Sequence, residues 1–178
     1  MTISTILMKR SCNRVVHARI HMKLATFLML AGFLCGQPAP ESEVRQLMVN
    51  FVTAFENLDW PAFRQCWVEN PVVFFPALDM RPGGMRTDNA SEFNSAWQRV
   101  FDEARQNMTK SGVRKAPFFQ INPEDLRIDF PAPTVAVVTF HLHGGTGIGR
   151  RMFVVVKTAA GWKISHLHAS SMALAPPN

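Results

Sequence analysis

The chain has 178 residues, 47% of them hydrophobic, which suits one domain with a sizeable core once a leader is set aside. Its net charge is +6, but five of the 19 lysines and arginines (Lys9, Arg10, Arg14, Arg19 and Lys23) and none of the 13 acids precede residue 41. That leaves 14 basic against 13 acidic residues, a balance of +1, so the charge argues against a nucleic-acid partner.

Residues 1–39 read as a basic leader followed by a secretory signal, with Met22 an alternative start. Met22-Lys23 precedes the apolar run Leu24 to Cys35, and Gly36-Gln37-Pro38-Ala39 follows. About a dozen apolar residues match a signal core and fall short of a ~30 Å hydrocarbon layer. The expectation is a secreted or periplasmic protein whose mature form has no membrane attachment. A lipoprotein anchored through Cys35 is the weaker reading, because Leu34 is bulky where a small residue is expected. Of Cys12, Cys35 and Cys66, only Cys66 lies beyond the leader, so a mature domain would rest on its core rather than on a disulfide.

The domain proper is expected over 41–174, with 175–178 as a tail. Val44, Leu47, Met48, Phe51, Phe55 and Leu58 make one stripe of a 3.6-residue period and predict a helix over 41–58. Asp59 is placed to cap a second short helix with Pro61 in its first turn, Trp60, Phe63 and Trp67 on its apolar side, and Asn70-Pro71 at its end. Val72–Phe75, between Pro71 and Pro76, predicts an edge strand. Arg81-Pro82-Gly83-Gly84 is a loop. Asn89 with Glu92 resembles a capping box opening a third helix, whose buried stripe is Phe93, Trp97, Val100, Phe101, Ala104 and Met108, and Ser111-Gly112 stops it. The period then changes. Phe118–Ile121, Leu126–Phe130, Val135–His143, Arg150–Lys157 and Trp162–Ser171 predict strands, and the last three are joined too closely for crossover helices. Three helices followed by an antiparallel sheet is an α+β layout; a strongly curved sheet around the helices would form a cone with a ligand cavity.

Four stretches in this order resemble the SnoaL-like (DUF4440-like) branch of the nuclear-transport-factor-2-like superfamily, over about residues 42–172. They are Phe51-Val52-Thr53-Ala54-Phe55 through Asp59-Trp60-Pro61-Ala62-Phe63, then Trp97-Gln98-Arg99-Val100-Phe101, Val135-Ala136-Val137-Val138-Thr139, and Gly161-Trp162-Lys163-Ile164 followed by His166-x-His168-x-Ser170. The closing stretch is also similar to the association domain of calcium/calmodulin-dependent protein kinases. The pocket arginines of that domain align with Thr139, Phe153 and Ala169, so all three are missing here. Arg151 matches an arginine common in SnoaL-like sequences and becomes the cation expected in the cavity. The resemblance also implies that an outer sheet face meets a second subunit. The isomerases of the superfamily use a tyrosine, and this chain has none, so that apparatus is not carried over.

Strand alternation from those aligned positions would turn Val137, Thr139, His141, Arg151, Phe153, Val155, Leu167 and Ala169 to the cavity. It would turn Trp162, Ile164, His166, His168 and Ser170 to the opposite, interface face. A β-bulge would invert part of this. Trp60, Phe63, Trp67, Phe75 and Trp97 join the expected ligand-binding set. His141 is the candidate acid or base, with Asp59, Asp79 or Asp88 to orient it. The two His-x-His pairs fall on opposite faces in this phase, so no metal is expected, nor any cofactor. Gly144-Gly145-Thr146-Gly147 reads as a hairpin rather than a phosphate cradle, and Cys66 as a small buried apolar residue. Three functions stay open: a homodimeric binder of a small apolar or amphipathic molecule, a cofactor-free dehydratase, cyclase or isomerase using His141, and a non-catalytic homo-oligomerisation module.

Overall fold

The computed structural model describes residues 39–75, 86–144 and 147–173. The expected leader with Cys35, the Arg81–Gly84 loop, Asp79, the hairpin tip at 145–146 and the 175–178 tail lie outside the described residues.

Helix α1 spans Pro40–Glu56 and buries Val44, Leu47, Met48, Phe51 and Ala54, the stripe that its sequence period requires. It ends through Leu58, whose φ of 51° lets the Asp59 N–H close on the Ala54 carbonyl at 2.8 Å. Asp59 then caps α2, Trp60–Gln65, by accepting from the Ala62 N–H at 3.0 Å. Helix α3, Ala90–Lys110, is capped by Asn89, which accepts from the Glu92 N–H at 3.0 Å. The Glu92 carboxylate reaches the N–H of Asp88 rather than that of Asn89, so the reciprocal cap is displaced by one residue. Gly112, at φ 90°, follows the Ser111 cap.

The strands are β1 (Trp67–Phe74), β2 (Arg86–Thr87), β3 (Glu124–Ala132), β4 (Val135–Gly144), β5 (Gly147–Thr158) and β6 (Gly161–Ala173). They form one curved sheet in the order β2-β1-β6-β5-β4-β3. β1 runs parallel to β6, and the other neighbours are antiparallel.

Three expectations change. The second helix stops at Gln65, and Trp67 opens β1 instead of lying on the helix, because the strand begins five residues before Val72. β1 is not an edge: two residues of β2 flank it, and Pro71 falls where its pairing with β6 shifts register. Phe118–Ile121 is no strand. It is tied to the end of α1, the Phe118 N–H donating to the Glu56 carbonyl at 2.9 Å and the Ile121 N–H to the Glu56 carboxylate at 2.6 Å.

The helices cover one face of the sheet. Ala136, Val138 and Phe140 of β4, Phe153 and Val155 of β5, and Trp162, Ile164, Leu167 and Ala169 of β6 are buried against them. Phe63 is fully buried, and its ring meets those of Phe51, Phe55, Trp60, Trp67, Phe93, Trp97 and Phe101 at centroid distances of 4.8–6.4 Å. Offset and edge contacts of this kind add about 0.5–1.5 kcal/mol each beyond area burial.

Candidate functional site

Two registers decide which side chains meet inside. Val138 pairs with Phe153, and Phe153 with Leu167; one step along, Phe140 pairs with Arg151, and Arg151 with Ala169. These rows point to the helices. Thr139 pairs with Met152 and His141 with Arg150, so both expected cavity residues, and Val137 with them, lie on the other face. A slip of one residue turns every side chain of a strand over, and the aligned positions on β4 were one residue out. The all-apolar row Ala136, Val138, Phe140 and Leu142 is the signal that marks the inner side.

The closing strand changes phase part-way along. Val155 pairs with Ile164 but Val154 pairs with His166, so Ser165 is an extra residue. Its hydroxyl donates to the Val154 carbonyl at 3.0 Å. Trp162 and Ile164 therefore face inward, where they are buried, and not toward the bare face where interface residues were expected. His166, His168 and Ser170 do take the bare face. All four described histidines consequently share that face, contrary to the opposite-face placement. Among the described residues no group of three or more His, Cys, Asp or Glu side chains is arranged to hold a metal ion.

Inside, Arg151 is the charged group that stands out. Burial lowers its pKa from the usual arginine value. Its Nη1 donates to the carbonyls of Arg150 at 2.9 Å and Ser170 at 3.1 Å, and no described carboxylate pairs with it. The other inward cation of these strands, Lys157, is paired with Glu43 of α1 and lies over the Trp162 ring. Gly149 makes room for Arg151: a Cβ there would sit 3.0 Å from Nη1, 3.3 Å from Nη2 and 3.4 Å from Cζ. Neither Arg151's dependence on Gly149 nor the outward position of Arg150 was visible in the sequence.

The aromatic members of the expected set are close to one another. Phe63, Trp67, Trp97 and Phe153 are buried, and Trp60 and Phe75 are half-buried against the same cluster, with Phe75 5.1 Å from Trp97. The indole N–H groups of Trp67, Trp97 and Trp162 and the Thr87 hydroxyl are buried without a hydrogen-bond partner among the described residues. Cys66 is buried, and its thiol pKa is pushed up to about 11 by burial, partly offset by Lys163. A thiol so protonated is no nucleophile at neutral pH. Of the acids considered for His141, Asp59 caps α2 and Asp88 pairs with Arg86.

The comparisons with known proteins agree with this fold. The SnoaL-like domain family matches residues 44–175. The chain belongs to that family. No protein of curated function matches it. Among solved structures it is similar to a DUF3225-family protein of unknown function from Pectobacterium atrosepticum, at 18% identity and TM-score 0.58 over 77% of this chain and 94% of that one. It is also similar to an NTF2-like protein of unknown function from Pseudomonas putida, at 17% identity and TM-score 0.57 over 77% and 96%. A ketosteroid isomerase-like protein from Erwinia carotovora atroseptica aligns at 16% identity and TM-score 0.55 over 75% and 96%. At these identities the likeness is one of fold. This SnoaL-like chain shares its fold with a protein described as NTF2-like.

Proposed function

We propose that this SnoaL-like protein is a binder of a small amphipathic molecule, held apolar end first among the aromatic rings with an acidic group on Arg151. The observation that carries the reading is Arg151 itself. A guanidinium on the helix-covered face with no carboxylate partner among the described residues is costly to bury, and an anionic ligand group would offset that cost through paired, charge-assisted hydrogen bonds. The unpaired indole N–H groups of Trp67 and Trp97, on rings 6.4 Å apart, are donors that an acceptor on the ligand could also use. His141 is no longer part of this site, so the acid–base reaction built on it is not carried forward.

The test is native mass spectrometry of the purified protein for a co-purified ligand, followed by titration of the wild type and Arg151→Gln with an amphipathic carboxylate and its neutral amide. We expect Arg151→Gln to weaken the carboxylate at least tenfold and leave the amide unchanged. Equal affinities of both proteins for the carboxylate would overturn the reading. Gly149→Ala should weaken the carboxylate in the same way, because the added Cβ moves the guanidinium.

The bare sheet face favours a second reading, self-association. Phe74, Met152 and Met172 are 42%, 45% and 50% exposed there, beside His166 and His168. Sedimentation of the wild type and His168→Ala should show a dimer weakened by the substitution. A monomer at all concentrations would remove this reading.

A further inference from the structure

We propose that the bare face of the sheet carries an oxyanion site, centred on Arg150, that takes a phosphate group, free or as an ester. Arg150 is the middle of a small constellation. His141 stands directly opposite it on β4, and Thr139 and His168 are its diagonal neighbours on β4 and β6. Directly opposite side chains on one sheet face are about 5 Å apart at Cβ, and diagonal ones about 7–8 Å. A long guanidinium, two imidazoles and a hydroxyl can therefore converge on one group. Together they line a groove of about 480 Å³, whose other walls include Arg127, Asp125 and Met152.

Charge decides the class of ligand. The acids at this end of the face are already engaged: Glu124 pairs with His143 at 2.7 Å and Asp125 with Arg127 at 3.0 Å. The side chains of Arg150, His141 and Thr139 have no hydrogen-bond or ion-pair partner among the described residues, and the His168 ring lies 6.1 Å from that of Phe74. The groove thus holds Arg150 without an acidic partner among the described residues, ringed by three unused polar side chains and bordered by Arg151. A carboxylate offers two coplanar oxygens, enough for the arginine fork alone. A tetrahedral phosphate offers three or four oxygens in different directions, which matches donors arriving from β4, β5 and β6. Arg150 and Arg151 project to opposite faces of β5, although Arg151 also borders this groove.

The experiment is isothermal titration of the full chain at pH 7 and constant ionic strength with inorganic phosphate and, separately, phenyl phosphate. Samples are dilute enough for sedimentation to show monomer, so that the face is free. Saturable binding is expected from at least one of them, and the tighter of the two identifies a free or an esterified phosphate. Arg150→Gln should weaken it at least tenfold and His168→Asn about threefold, with unchanged circular dichroism. Arg45→Gln, an equal charge change on the exposed side of α1, should leave it unchanged. No saturable binding of either ligand, or an equal loss from Arg45→Gln, would overturn the proposal.

Discussion

Met152 and Phe153 are consecutive on β5, yet Met152 is 45% exposed and Phe153 1%. The difference runs through the whole sheet. On the helix side, aromatic and branched residues interlock, and Arg151, an inward cation without a carboxylate partner among the described residues, lies at the end of the packed rows. On the other side the same strands show histidines, methionines, Thr139 and Arg150. A two-residue period lets one backbone serve two surfaces with separate demands, stability on one and recognition on the other. The lesson is that in this chain a residue's neighbours in sequence say less about its role than its partners across the strands do.

The sharpest way to break the contrast is to empty the packed side. Phe63→Ala should cost about 3–5 kcal/mol, read as a lowered urea midpoint or as failure to fold. Next comes Cys66. Its folded pKa lies near 11 instead of about 9, so the buried neutral thiol stabilises the fold fully below pH 9 and the contribution is lost as pH rises toward 11. The difference in stability between wild type and Cys66→Ala should shrink across that interval; a flat difference would show the thiol to be accessible. Asp59→Ala removes the cap of α2 and should cost about 1 kcal/mol in denaturant unfolding. Smallest is Met152→Ala, expected to change stability by less than about 0.5 kcal/mol. A cost near that of Phe63→Ala, growing with protein concentration, would show that the bare face is covered by a second copy.

Much of the fold was legible because local chemistry and global packing agreed. The α1 stripe, the Asp59 and Asn89 caps and the closing meander all follow from side chains read in place. The α2–β1 junction was not legible. Trp67 suits a helix stripe and a buried strand equally well, and only the pairing of β1 with β6, nearly a hundred residues on, selects the strand. The site was read less well for a related reason. Arg151 was found because it matches an arginine common in SnoaL-like sequences. His141 was misplaced because an aligned position carries no information about strand phase, and one residue of error inverts the answer. Arg150 went unremarked because its interest lies in what Glu124 and Asp125 are already doing, which only coordinates reveal.

Ser165 gives the closing strand two reading frames. The half before it can keep Trp162 and Ile164 in the core while the half after it independently sets which residues greet solvent. Deleting Ser165 should force one half to turn over, exchanging either a tryptophan or a pair of histidines with the wrong surroundings. The serine thereby uncouples two selective pressures along a single strand, so that the surface of this protein can diverge without rewriting its interior.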